Sequence, residues 1–132
     1  MQRIRTRPQF QAAMAGAIVA KTPHFALHRL ALPGPAHGRL LFAVQDTWIG
    51  VVLPKRWAKR AVTRNSIRRQ VYEVSRALAA QLPAVALVVR LRGGFDRQRF
   101  VSATSDALKR AVREELEQLF ARVARLPAEA AC

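Results

Sequence analysis

The chain has 132 residues, 51% of them hydrophobic, and carries 23 Lys and Arg against 8 Asp and Glu, a formal charge of +15 at pH 7. That length supports one core of ordinary size, so a single domain is expected over residues 1–132, and the apolar fraction excludes a disordered basic tail. A surface this far from neutrality repels itself and attracts polyanions, nucleic acid first and anionic membrane second.

Arg3, Arg5 and Arg7 precede a small apolar stretch, Ala12 to Ala20, that imitates a secretory signal. Gln9 and Gln11 interrupt it, and Phe10, Ala13 and Met14 have the spacing of an amphipathic helix, with Thr6 as cap, Pro8 in the first turn and Gly16 as stop. His24 to Leu32 alternates Phe25, Leu27 and Arg29 against His24, Ala26 and His28, the pattern of a strand. Pro33, Gly34 and Pro35 then break the chain. Leu40 to Val44 and Trp48 to Leu53 are expected to be adjacent antiparallel strands joined by a turn at Gln45, Asp46 and Thr47.

From Thr63 the period becomes helical, with Ile67, Val71, Val74 and Leu78 forming an apolar stripe that ends near Pro83. Ala84 to Leu91 reads as a strand buried on both faces and closed by Gly93 and Gly94. Strand, helix and strand in that order imply a parallel crossover. Leu108, Val112, Leu116, Leu119, Phe120 and Val123 mark one face of a terminal helix, on which Glu114, Glu115 and Glu117 alternate with Lys109, Arg110 and Arg113 as if for intrahelical pairing. Residues 124–132 are expected to fray, leaving an ordered core of about 7–123. The expected class is α+β, a two-layer sandwich. It has a mixed sheet of about four strands, a helix before it, a basic crossover helix and a C-terminal helix. No apolar run approaches the roughly 20 residues that span a bilayer. The single cysteine, Cys132, has no intrachain disulfide partner, which suits a reducing cytoplasm.

The charge is concentrated. Lys55, Arg56, Lys59, Arg60, Arg64, Arg68 and Arg69 fall within 15 residues, and Glu73 is the only acid between Thr47 and Phe95. At 100° per residue Arg64, Asn65, Arg68 and Arg69 share an arc beside the apolar stripe, so one helix would serve both as core and as binding surface. A merely solvated face usually mixes signs to limit repulsion, and this one does not. Arginine predominates, and guanidinium groups bind phosphate through two coplanar donors.

Lys55 and Arg56, a seven-residue spacer, and then Arg64, Asn65, Ser66, Ile67, Arg68 and Arg69 resemble the signature of the bacterial ribonuclease P protein subunit. The resemblance runs from about Arg7 to Val123 and includes the Phe10 helix, the Phe25 strand, Ile49 and Gly50 before the paired basic residues, and the Leu87 to Val89 strand. Ser66 departs from the usual arginine, and Pro54 stands where a small residue is commoner. The resemblance implies an accessory protein of an endoribonuclease that removes the 5′ leader from precursor tRNA. The RNA subunit would carry out the magnesium-dependent hydrolysis, with Mg²⁺ held through that RNA. It further implies that Arg64, Asn65, Arg68 and Arg69 contact the catalytic RNA, with Lys55, Arg56, Lys59 and Arg60 leading in. A cleft holding the single-stranded leader maps onto Phe10, Met14, Phe25 and His28, of which Met14 and His28 replace the frequent Phe and Tyr. Precursor tRNA and the catalytic RNA are the implied partners, with no membrane and no obligatory protein partner.

Flat side chains can stack on unpaired bases, so Phe10, Phe25 and His28 suit a leader site. As residues alone they fit equally well as core aromatics and a strand histidine. No catalytic or metal residue is expected in the protein. The first 95 residues hold only Asp46 and Glu73 as acids, too few for a two-metal site, and His24, His28 and His37 have no acidic partner at suggestive spacing. A ribosomal or other structural RNA-binding protein shares the charge and size, and a DNA binder that inserts the Thr63 to Leu82 helix in a major groove is a third reading.

Overall fold

The computed structural model describes residues 1–32, 42, 44, 46–95 and 106–125. Strand β1 (Gln2–Arg3) leads into helix α1 (Arg7–Met14). Thr6 opens α1 with a reciprocal cap: its hydroxyl accepts from the Gln9 amide at 3.3 Å, and its own amide donates to the Gln9 side chain at 3.1 Å. Strands β2 (Ala17–Lys21) and β3 (Phe25–Ala31) form a hairpin, followed by β4 (Trp48–Val52), α2 (Ala61–Ala77), a 3₁₀ turn (Ala79–Gln81), β5 (Val85–Leu91) and α3 (Asp106–Arg125). The sheet order is β1-β4-β5-β3-β2, with β1, β4 and β5 parallel and β3 antiparallel to both β5 and β2.

Alternation along the strands sorts the core into two faces. Phe25, Leu27, Ile49, Val51, Leu87 and Val89 point toward α2 and α3 and join Ile67, Val71, Leu116 and Phe120. Ala86, Val88 and Trp48 point the other way, where Ile4, Ala13 and Phe42 cover them and Phe10 and Met14 pack at the margin. Gly50 allows this second layer to close, because a Cβ there would lie 2.7 Å from Phe10 Cε1 and 3.0 Å from Ile4 Cβ. Gly16 has the same function at the end of α1, where a Cβ would lie 2.2 Å from the Arg29 carbonyl oxygen.

The α+β class, the parallel crossover through α2 and the closing helix agree with the sequence reading. The sheet has five strands instead of about four, and α1 adds a partial third layer. Strand β1 extends the ordered region before residue 7, and β2 takes up the end of the apolar stretch Ala12 to Ala20. Among the described residues the two neighbours of β4 are β1 and β5, where the sequence reading expects an antiparallel partner from Leu40 to Val44. Phe42 and Val44 lie in bends, where Phe42 meets Trp48 edge-on at 5.3 Å between ring centres and the Val44 backbone carbonyl accepts a hydrogen bond from Trp48 Nε1 at 2.9 Å. The other residues of that segment that would form the strand lie outside the described residues; of the expected frayed end, 124–132, residues 124 and 125 belong instead to α3 and the rest lie outside the described residues.

Candidate nucleic-acid interface

Helix α2 has an apolar and a cationic side. Ile67, Val71 and Val74 are buried against the sheet, while Asn65, Arg68 and Arg69 are exposed. Lys55, Arg56, Lys59 and Arg60 are exposed along the loop that leads in. Among the described residues none of these cations is ion-paired, although the exposed Glu73 lines the same grooves as Arg68 and Arg69, and the ion pairs that do form involve other groups. Asp46 holds the Met1 ammonium at 2.9 Å, Glu115 holds His24 at 2.6 Å and Glu117 holds Arg113 at 3.1 Å. The first turn of α2 compounds the imbalance. Its cap, Arg60, makes no side-chain hydrogen bond and the turn holds no acid, although a helix N-terminus favours negative charge. An approaching phosphate would relieve both the repulsion and the uncapped dipole.

Arg64 stands apart from its neighbours. It is half-buried, and its Nη1 donates to the Ala58 and Lys59 carbonyls, both at 2.9 Å, tying the basic loop to the helix. Arg68 Nη1 donates to Asn65 Oδ1 at 3.1 Å, which orients two members of the exposed row together. Ser66 opens into a groove between α2 and α3 that Arg69, Lys109 and Arg110 also line. The pairing expected on α3 is therefore only partly made: Arg113–Glu117 forms, Glu115 reaches across to the β2–β3 turn, and Lys109 and Arg110 face α2. On the other flank the Arg3 guanidinium lies 4.1 Å from the centre of the Tyr72 ring, beside Arg68 and Arg76. Sequence reasoning missed Arg3 because its position depends on the non-local pairing of β1 with β4.

The second expected surface is assembled in part. Phe10 and Met14 are half-buried between α1 and the sheet, and His28 projects from β3 on that same face. His28 is only 5% exposed, so its ring is a buried partner and no open stacking surface. Arg90 Nε donates to His28 Nε2 at 3.0 Å and brings a cation, half-buried on β5, into the cleft. Burial, and then the Arg90 charge, hold the His28 imidazole below its ordinary pKa of 6.5, with a weaker opposing contribution from the Met14 backbone. Phe25 does not belong to this cleft. It is 0% exposed within the core on the α2–α3 face, because three positions along a strand separate it from His28 and reverse its direction. Arg90 was legible as a cation within an otherwise apolar strand, on the face shared by Ala86 and Val88.

Among the described residues the carboxylates do not converge as a magnesium ion would require, and no three His, Cys, Asp or Glu side chains come together. The Asp46 carboxyl is held below the usual carboxylate range chiefly by the chain's terminal ammonium, and then by the Thr47 amide. Among the described residues no helix is long and apolar enough to cross a membrane.

The family model described as Ribonuclease P matches residues 1–124. A ribonuclease P protein component from Bordetella parapertussis is 35% identical over 127 residues, covering 93% of this chain and 92% of the relative. One from Ralstonia pickettii is 38% identical over 118 residues, covering 89% and 76%. A solved structure of the Staphylococcus aureus RNase P protein superimposes with a TM-score of 0.66 at 18% identity, covering 95% of this chain and 96% of that one.

Proposed function

The chain belongs to the ribonuclease P protein family, and from that premise we propose that it grips the catalytic RNA of the enzyme through α2 while the α1–sheet cleft retains the 5′ leader of precursor tRNA. Membership makes it a protein component of an endoribonuclease that partners the ribonuclease P RNA. The observation that carries the reading is the row of exposed, unpaired cations: Arg68 and Arg69 on α2, with Lys55, Arg56, Lys59 and Arg60 leading into it. Asn65 orients Arg68, and Arg64 secures the loop that presents the lysines.

On this reading the RNA, with its own Mg²⁺, performs the hydrolysis. The protein contributes electrostatics and geometry. Its cations reduce phosphate repulsion between enzyme RNA and substrate, so less magnesium is needed to bring them together. In the cleft, Phe10 and Met14 offer an apolar wall for unpaired bases and Arg90 offers a charge for the backbone, the combination that suits a single strand. The proposed setting is the bacterial cytoplasm, with no obligatory protein partner.

The test is reconstitution with a bacterial ribonuclease P RNA and precursor tRNA at magnesium too low for the RNA alone. The protein should restore leader release, and an Arg68→Ala, Arg69→Ala double variant of normal helical content should restore much less. Stable binding to the RNA with no stimulation of leader release would leave a purely structural RNA-binding role instead.

A further inference from the structure

Trp57 is 38% exposed, the largest apolar side chain at the surface among the described residues. A lone exposed hydrophobe needs no special explanation. Trp57 is different because its turn is held from several sides. The Trp57 and Ala58 amides both donate to the Pro54 carbonyl, at 3.0 and 3.2 Å, and the Ala58 side chain is buried in the main core. Arg64 clamps the Ala58 and Lys59 carbonyls, and Gly94 lies against the Trp57 backbone so closely that a Cβ there would sit 3.2 Å from the Trp57 oxygen. The core takes the alanine and leaves the neighbouring indole outside.

The surroundings of that indole are cationic. Lys55, Arg56, Lys59 and Arg60 are all exposed within three residues of it, and the Arg56 guanidinium lies 5.3 Å from the ring centre. A planar aromatic held on a pinned turn among cations is the arrangement that receives a base while its neighbours receive the adjoining phosphates. We propose that Trp57 is a stacking platform for an unpaired nucleobase, at the start of the cationic row. This rests on the RNA-binding reading above and adds a site to it. The base belongs either to an unpaired stretch of the ribonuclease P RNA or to the substrate's leader, and the chemistry of the contact is the same for both.

Tryptophan fluorescence tests it directly, since Trp48 is largely buried and a Trp48→Phe variant leaves Trp57 as the only indole. That variant is titrated separately with the RNA subunit, with a single-stranded leader oligoribonucleotide and with inorganic polyphosphate. Quenching by either RNA and not by polyphosphate supports stacking, and the RNA that quenches names the source of the base. Trp57→Ala should weaken binding of that RNA about tenfold with an unchanged salt slope, because no charge is removed, and Trp57→Phe should restore most of the loss. Equal quenching by polyphosphate, or unaltered affinity in Trp57→Ala, would overturn the proposal. Arg68→Ala with Arg69→Ala serves as the reference: if that pair weakens RNA-subunit binding while Trp57→Ala does not, only the stacking site fails, and if neither does, the wider reading fails with it.

Discussion

Arg90 donates from Nε to Nε2 of His28 at 3.0 Å, across neighbouring strands of the sheet. An arginine keeps its protons, so the accepting nitrogen is bare and His28 is neutral, with its proton on Nδ1. Burial and the Arg90 charge depress its pKa below 6.5, so the unfolded chain binds a proton before the folded one does. This contribution to stability is complete above 6.5 and is lost as pH falls below it toward the folded-state value. The urea midpoint should therefore drop between about pH 7.5 and about pH 5.5, and drop less in His28→Gln, which retains an acceptor for Arg90. Equal drops in both proteins would remove His28 from the account.

Phe25 and Phe10 should separate stability from leader binding. Phe25 is wholly enclosed, so Phe25→Ala should cost about 3–5 kcal/mol and show chiefly as a lowered melting temperature. Phe10 is half-buried over Gly50, and Phe10→Ala should cost roughly half as much while weakening leader binding about tenfold. Thermal denaturation and titration with a leader oligonucleotide measure the two effects. Leader affinity lost in a Phe25→Ala protein that still melts normally would contradict the assignment.

Arg64 should behave unlike Arg68. Removing its two carbonyl contacts frees the loop, so Arg64→Ala should lower stability by about 1 kcal/mol as well as weakening RNA binding. Arg68→Ala, whose guanidinium is exposed, should leave the melting temperature within about a degree of the parent protein. Comparing the melting curves of the two variants decides the matter.

Local chemistry was legible in the sequence and non-local geometry was not. The Thr6 cap, the period of Ile67, Val71 and Val74, and the apolar run of β5 each announce themselves within a few residues, whereas Gln9, read as a break in an apolar stretch, closes the cap from the other side. So does the cationic row, because helical spacing alone decides which side chains share an arc. Strand β1 has only two residues, and its pairing with β4 spans more than forty positions, so nothing nearby marks it or the stacking of Arg3 on Tyr72. Phe25 and His28 show a further limit. Their alternation is visible in the sequence, and the reversal it imposes puts them on opposite faces of β3, so one cleft cannot hold both. The engagement of Arg64 with carbonyls and of Glu115 with His24 likewise depends on where loops return, which composition does not specify.

The salt dependence of binding to the ribonuclease P RNA is the most direct test of the central claim, that exposed cations on and before α2 grip the RNA. If about six to eight cations neutralise phosphates, a log–log plot of affinity against salt should have a slope of roughly −4 to −7. The Arg68→Ala, Arg69→Ala protein should give a slope shallower by about 1.5. A parent slope near −1, or an identical slope in the folded double variant, would place the grip elsewhere.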